Sequence, residues 1–532
     1  MSNLLLISIL TPAVFGLVLF LLPKKLPVVL QNTLASLGFG IPALIALKVF
    51  LDYTASGEAG FLFVSNIDTG LSNFGISLKM GVNGISAPLF LLAGIVGLAA
   101  GITAMVSVAE RMKTYLALLL VMQSGLMGIF STYDIFYIYF FHEIALIPTF
   151  IMIAVWGGQH RRAAAMEMTI YLTFGAMLSL AGLIGIYAMN NLGSFDLISL
   201  SAHLAENGLK DTLQRSLFGL LVFGLGVLVS LFPFHSWAPR GYSAAPTSVA
   251  MLHAGVLKKF GLYALIQVGL PLLGTGAVSW SFTLGILALG NLLIIGWVTM
   301  AQKDLKMMIS YASVMHMGYI FLGIASLNSI GVSGAVFLMF AHGLSAALLF
   351  NLSIYVQNRC RSFYMDEMGG LGKHTPILAG FFMAAMMASV GLPGFANFWG
   401  EFSVFLSLWQ WQPVFMILAI FGIVISAVYG LRAVSAIFFG KETESLEEVL
   451  KENPVKDLSW AERIPVVLLL VSLLVFGFFP RLASDSISKT TQLHILNESH
   501  TREEVQTLEA VPANTILEQT DSADSNAGGG HH

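Results

Sequence analysis

Glu143, Lys258, Lys259, Glu401 and Arg432 lie well inside long apolar runs of this sequence, and His142, His235, His253, His316 and His342 share those runs. A charge at the centre of a bilayer costs about 2.5–3.5 kcal/mol on insertion scales. Groups of this kind should therefore face one another or internal water. A lysine beside a glutamate holds its proton, and the same lysine moved away from it tends to release it. Histidine exchanges protons near neutral pH. Acids, lysines and histidines joined in one file are what a proton path through a membrane requires.

Each residue also has a plainer reading. Glu143 can be half of a helix-packing ion pair. Lys258 and Lys259 are neighbours, so their side chains leave the helix about 100° apart, and one of them can serve a second partner, an edge or a lipid headgroup. Arg432 stands about 8 residues, on the order of 12 Å, from one end of its run, within reach of snorkelling. His142 makes the weakest case, because it adjoins Glu143 and must point elsewhere. His316 and His342 are stronger, in the middle of successive runs, while His235 and His253 are relay candidates. Pro233, in "LFPFHSW", and Pro393, in "GLPGFANFWGEF", interrupt their runs. A broken helix frees backbone groups to line a hydrated cavity, although a simple kink is the plainer alternative.

The elements that must hold these groups are membrane helices. The chain has 532 residues, 56% hydrophobic and 10% charged, against about 25% charged in soluble proteins. Apolar segments of about 20 residues, enough to cross a bilayer, fall near 3–22, 29–51, 84–106, 114–131, 133–156, 166–190, 215–237, 243–268, 279–300, 306–327, 330–357, 376–411, 414–439 and 462–480. The pattern predicts an all-α polytopic membrane protein with about 14 transmembrane helices. The 376–411 segment is too long for one straight crossing and reads as two half-helices. Spans four to eight and nine to thirteen each hold a broken helix as their fourth member. Five is odd, so the two sets run oppositely across the membrane: two inverted five-helix repeats, an arrangement whose breaks mark ion pathways. The expected organisation is a three-span segment over 1–110, repeats over 111–270 and 271–440, a connection and last span over 441–482, and a polar disordered tail over 483–532.

Connections after odd-numbered spans carry 16 lysines and arginines, from Lys24 to Arg463, whereas those after even-numbered spans carry 3, Lys79, Lys210 and Arg215. The positive-inside rule then puts the odd connections in the cytoplasm and the N-terminus outside. The first run lacks the basic start and cleavage site of a secretory signal and reads as a retained span. Residues 52–83 suggest an external hairpin, 194–214 an external amphipathic segment, and 441–461 a cytoplasmic surface helix. The final His531–His532 pair reads as tail.

The net charge of −3 gives no hint of a nucleic-acid partner, and the single cysteine, Cys360, leaves too few thiolates for an iron–sulfur cluster. No dinucleotide fingerprint occurs, and "GGLGKHT" lacks the first Gly and the Ser/Thr of a P-loop. Energy for transport must come from an ion gradient or a partner.

Seven stretches, "FHEIALIPTFIMIAVWG", "FPFHSW", "AAPTSVAMLHAGVLKKFGLYAL", "DLKMMISYASVMHMGYI", "FAHGLSAALLFNL", "EMGGL" and "GLPGFANFWGEF", occur in the order found in antiporter-like subunits of proton-pumping NADH:quinone oxidoreductase (complex I). The resemblance covers about residues 80 to 440 and is greatest to the subunit M type, equivalent to the mitochondrial fourth ND subunit. It implies a proton-translocating subunit of a bacterial cytoplasmic membrane, with neighbours of the L and N types, lipid contacts and no cofactor of its own. NADH, FMN, iron–sulfur clusters and quinone would belong to partner subunits. It also implies a proton path through Glu143, Lys259, His316, His342 and Glu401. The family's seventh-span lysine is absent, because Leu228 stands there. Lys258 is then expected to act as the replacement partner of Glu143. Alternatives are a subunit of a multisubunit Na⁺/H⁺ antiporter, a subunit of a hydrogenase- or formate-linked complex, and a structural anchor whose path has decayed.

Overall fold

The computed structural model of the chain describes residues 3–23, 26–107, 109–190, 192–452 and 454–493. Among them, thirteen helices are long and apolar enough to cross a membrane. In chain order, spans one to six are Asn3–Leu21, Val28–Ser56, Ser86–Ser107, Met112–Ile129, Ile135–Trp156 and Arg161–Met189. Span seven is Asp211–Val229, followed after a break by the short helix Trp237–Ala244. Spans eight to eleven are Thr247–Leu272, Gly274–Ala301, Leu305–Ala325 and Ser329–Cys360. Pro376–Val390 and Ala396–Trp411 form the two halves of span twelve. Pro413–Phe438 and Trp460–Phe478 are spans thirteen and fourteen. The count of fourteen crossings thus holds.

Span seven runs further than its hydropathy suggests. Apolar character alone ends it at 237 and gives 243 onward to span eight. In the structure the helix after the break continues to Ala244, and extended backbone at Ala245 before Pro246 separates it from span eight. A residue preceding proline is driven out of the helical region, so the boundary lies at the proline rather than at a change in polarity.

The central stretches of spans eight and eleven are wholly buried among the others. They carry Lys258, Lys259 and His342, so the costly groups sit on the most enclosed helices. Three stretches, His253–Leu257, Leu265–Gly269 and Asn291–Ile295, are π-helical. Single π-turns inside α-helices concentrate at functional sites. The first lies immediately before the lysine pair.

The two halves share a local device. Asp134 caps span five by accepting from Tyr137 N–H, and Asp304 caps span ten by accepting from Met307 N–H. Each aspartate forms an antiparallel bridge with the segment that follows the next span, at Asp196 and at Tyr364. The backbone bonds correspond pair for pair. Ile135 N–H donates to Phe195 and Leu305 N–H to Phe363, while Leu197 N–H donates to Tyr133 and Met365 N–H to Lys303. Span five follows an even-numbered connection and span ten an odd-numbered one, so the device recurs on opposite faces of the bundle, as inverted repeats require.

The expected hairpin is present as antiparallel strands Leu62–Ile67 and Leu78–Val82. Helix Leu197–Asn207 occupies the amphipathic segment and Glu444–Glu452 the charged connection. The tail reading needs correction at its start. Residues 481–493 are helical, with Ile487 and Thr491 buried. Thr490 Oγ1 accepts from Gly84 N–H at 3.1 Å and donates to Ala59 O at 2.8 Å, and Lys489 Nζ donates to Gly57 O at 2.9 Å. The segment is polar because its hydroxyls bond a loop backbone. Residues 494–532, with the terminal histidines, lie outside the described residues.

Candidate functional site

At the first-half end stands Glu143, on span five. Its side chain is 35% exposed, and its Oε1 lies 3.4 Å from Nδ1 of buried His142. The His142 ring stacks on Phe260, with centroids 4.0 Å apart. Phe260 follows the lysine pair on span eight. Lys259 is fully buried, and its Nζ donates to Ala254 O at 2.7 Å, beside the π-helical turn.

Lys258 points another way. Its Nζ donates to Ser313 O on span ten at 3.2 Å and sits 5.5 Å above the Tyr242 ring, on the helix after the first break. His253 packs between Trp237 and Tyr242 at centroid distances of 5.8 and 5.2 Å. Ser313 also supplies the next link, with Oγ 3.1 Å from His342 Nε2. The His342 and His316 rings stack with centroids 5.3 Å apart. His316 Nδ1 is 3.6 Å from Glu401 Oε1, and its Nε2 is 3.2 Å from the Tyr429 hydroxyl. Glu401 is buried in the second half of span twelve. A file of polar side chains therefore runs from Lys258 through Ser313, His342 and His316 to Glu401, and Glu143 with His142 meets span eight through Phe260.

The breaks make room for the file and stabilise its walls. Gly391 ends the first half of span twelve at φ +83°. A Cβ there would overlap the Glu401 carboxylate. At the first break, Asn291 bonds the interrupted backbone of span seven. Its Nδ2 donates to Ser230 O and Val314 O at 3.0 Å each, and its Oδ1 accepts from Phe232 N–H at 2.7 Å. Trp237 Nε1 donates to Val227 O at 2.9 Å. Pro233 and Pro393 both face outward from the bundle. They interrupt the helices, and glycine, asparagine and tryptophan shape the interior.

On the end that carries the basic connections, a cavity of about 470 Å³ is lined by Glu110, Arg161, Thr247, Ser248, Lys306 and Gln357 among others. Lys306 is buried, and its Nζ donates to Ala245 O at 2.6 Å. Thr247 and Ser248 open the helix that leads to His253 and the lysines.

A family model described as "NADH:quinone oxidoreductase/Mrp antiporter, TM" matches residues 132–426. NADH-quinone oxidoreductase subunit M of Rickettsia conorii is 34% identical over 436 residues, 82% of this chain and 86% of that protein. This chain belongs to the NADH:quinone oxidoreductase/Mrp antiporter family. The F(420)H(2) dehydrogenase subunit M of Methanosarcina mazei is also 34% identical, over 483 residues covering 89% of this chain and 94% of that protein. A chain of respiratory complex I from Thermus thermophilus with bound NADH superposes with a TM-score of 0.83 at 28% identity, covering 93% of this chain and 99% of that one.

In this antiporter-type subunit the file joins Lys258, His342, His316 and Glu401, with Lys259 beside it on span eight and Glu143 approaching through His142 and Phe260. His235 is half-buried in the first break, stacked on Phe232 at 5.9 Å, and its Nδ1 makes no hydrogen bond. The expected Lys258–Glu143 pair is not formed. Span eight turns the Lys258 ammonium toward span ten, and Glu143 meets His142 instead. Helix neighbours ordinarily diverge, which makes His142 the weakest candidate by sequence, yet it is the residue that reaches Glu143. Arg432 donates to Met300 O and, at 2.7 Å, to Gln302 O, closing the end of span nine. Sequence reasoning missed Ser313, Asn291 and Lys306. Ser313 and Asn291 are neutral residues in apolar runs, and Lys306 counts with the basic connections. Among the described residues, no group of three or more His, Cys, Asp or Glu side chains is gathered to hold a metal ion.

Proposed function

We propose that this chain is a proton-translocating membrane subunit of a respiratory NADH:quinone oxidoreductase, moving protons through the row Glu143, Lys259, Lys258, His342, His316 and Glu401. The observation that carries the reading is the file itself. Lys258, His342, His316 and Glu401, buried and each costly alone, lie in a sequence of short contacts that ends beside the second helix break, and the more open Glu143 reaches span eight through His142 and Phe260. His253 and His235 flank it as relays. The lysine pair passes its charge toward the second half through Ser313 and His342. Glu401 terminates the row beside His316.

The two repeats, taken as 111–270 and 271–440, each contribute one half of the path. Electron transfer would occur in partner subunits holding FMN, iron–sulfur clusters and quinone, and L- and N-type neighbours would flank this chain. Multi-pass insertion in a bacterial cytoplasmic membrane with the N-terminus outside fits the distribution of basic residues. The equal identity to the F(420)H(2) dehydrogenase subunit supports the division of labour, since the donor in that protein's name differs from NADH while its membrane subunit remains alike.

The test uses the intact complex in vesicles. Glu143→Gln and Glu401→Gln should each reduce quinone-coupled proton uptake by about tenfold or more while leaving NADH oxidation by an artificial acceptor unchanged. Wild-type uptake in both variants would leave the chain a structural anchor. Uptake that requires Na⁺ would favour the antiporter alternative.

A further inference from the structure

Glu143 is the most open member of the row, and its carboxylate has a single basic neighbour. Among the described residues, only His142 places a basic nitrogen within 4.0 Å of it. Both facing atoms, Glu143 Oε1 and His142 Nδ1, are buried and make no hydrogen bond elsewhere. Lys258 and Lys259 spend their ammonium groups on Ser313 O and Ala254 O. Consecutive helix residues normally point about 100° apart, so this approach requires both side chains to turn toward each other. The His142 ring is itself buried and stacked flat on Phe260, the residue next to Lys259. The imidazole thus stands between a carboxylate open to the flank of the bundle and the helix that bears the lysines.

We infer that His142 is the proton-exchanging partner of Glu143, taking the proton that Glu143 receives at the flank and handing it inward to span eight. This rests on the proton-path reading above. The carboxylic O–H of Glu143 breaks and an N–H forms at His142 Nδ1, leaving a carboxylate beside an imidazolium. The imidazolium then gives the proton on its other nitrogen, Nε2, to a neutral base on span eight, Lys259 or His253, and returns to neutral as the Nδ1–H tautomer, which a ring flip resets. No electron moves. The other groups that bear on the ring are Tyr139 on its own helix, with ring centroids 6.2 Å apart, and His253 on span eight, which lies within electrostatic range of His142, Lys258 and Lys259. A proton leaving His142 is therefore accepted on span eight by a group in its neutral form, which passes it on toward Ser313 and His342.

The experiment compares His142→Phe, His142→Gln, Glu143→Gln and the His142→Phe/Glu143→Gln double variant in the intact complex in vesicles. Phenylalanine keeps the stack on Phe260, and glutamine keeps polarity without titrating. Proton uptake should fall by about tenfold or more in each single variant, and the double variant should be no worse than either. His142→Lys should recover part of the uptake with an altered pH profile, which a packing role would not produce. If His142→Phe prevents assembly, His142→Gln decides alone. Uptake at the wild-type rate in an assembled non-titrating variant overturns the inference, as do losses that multiply in the double variant. Loss in Glu143→Gln with none at His142 removes this inference and keeps the path. Wild-type uptake in Glu143→Gln removes both.

Discussion

Lys259 returns its ammonium to its own helix, with Nζ donating to Ala254 O at 2.7 Å beside the π-helical turn His253–Leu257. The contact parks the charge on a backbone dipole rather than on an acid, so the lysine can surrender its proton without breaking an ion pair. Lys259→Met should lower quinone-coupled proton uptake by about tenfold or more. Lys259→Arg should fail almost as badly, because guanidinium keeps its proton. Vesicle uptake assays on both variants, with acceptor-linked NADH oxidation as control, check this.

Gly391 and Gly394 make a matched pair in the second break, with φ of +83° and +104°. An alanine at either costs about 1–2 kcal/mol of backbone strain. A Cβ at Gly391 overlaps the Glu401 carboxylate, whereas one at Gly394 meets only Phe478, at 3.7 Å. Gly391→Ala should therefore match Glu401→Gln in lost proton uptake, and Gly394→Ala should retain most of it. Equal behaviour of the two alanine variants would refute the role given to Gly391.

Asn291 satisfies three backbone groups at once. Asn291→Leu should destabilise the protein by about 2–4 kcal/mol, since each orphaned buried group costs about 1–3 kcal/mol. Thermal unfolding in detergent, followed by tryptophan fluorescence, should show a lower midpoint. Asn291→Asp keeps the acceptor for Phe232 N–H but loses both donated bonds, so it should fall below wild type as well.

Asp134 is fully buried at the head of span five. Burial pushes its carboxyl up from 3.8 to about 6, against the opposing pull of the Tyr137, Ser77 and Phe136 N–H groups and of Lys79. A carboxyl whose folded value exceeds its unfolded value favours folding while protonated. Its contribution is present at low pH and is lost as pH rises from about 4 through about 6. Asp134→Asn keeps the shape and the capping oxygen without the charge. The variant should gain about 1–3 kcal/mol over wild type between pH 4 and pH 7, each tenfold change in acidity being worth about 1.4 kcal/mol. Paired melting curves at the two pH values test the sign.

Much of this architecture is legible in the residues alone. Span count, both breaks, the hairpin and the enclosed charges follow from hydropathy, proline placement and the cost of burying Lys258, Lys259 and Glu401. Direction is less legible. An α-helical wheel cannot foresee that a π-turn at His253 reorients the lysines, so it offers Lys258 to Glu143 when the side chain faces Ser313. Nor does the average divergence of helix neighbours anticipate that His142 bends back to its own successor. Residues 481–493 look like solvated tail by composition, because a hydroxyl that bonds a buried loop is the same residue as one that bonds water.

The twin aspartate caps lie at opposite ends of the bundle, and burial raises the carboxyl of Asp304 as it does that of Asp134. Once a membrane is energised, the two aqueous compartments differ in acidity. The twins then titrate against separate reservoirs, so a difference in acidity across the membrane loads the two halves of the chain differently at their capping aspartates.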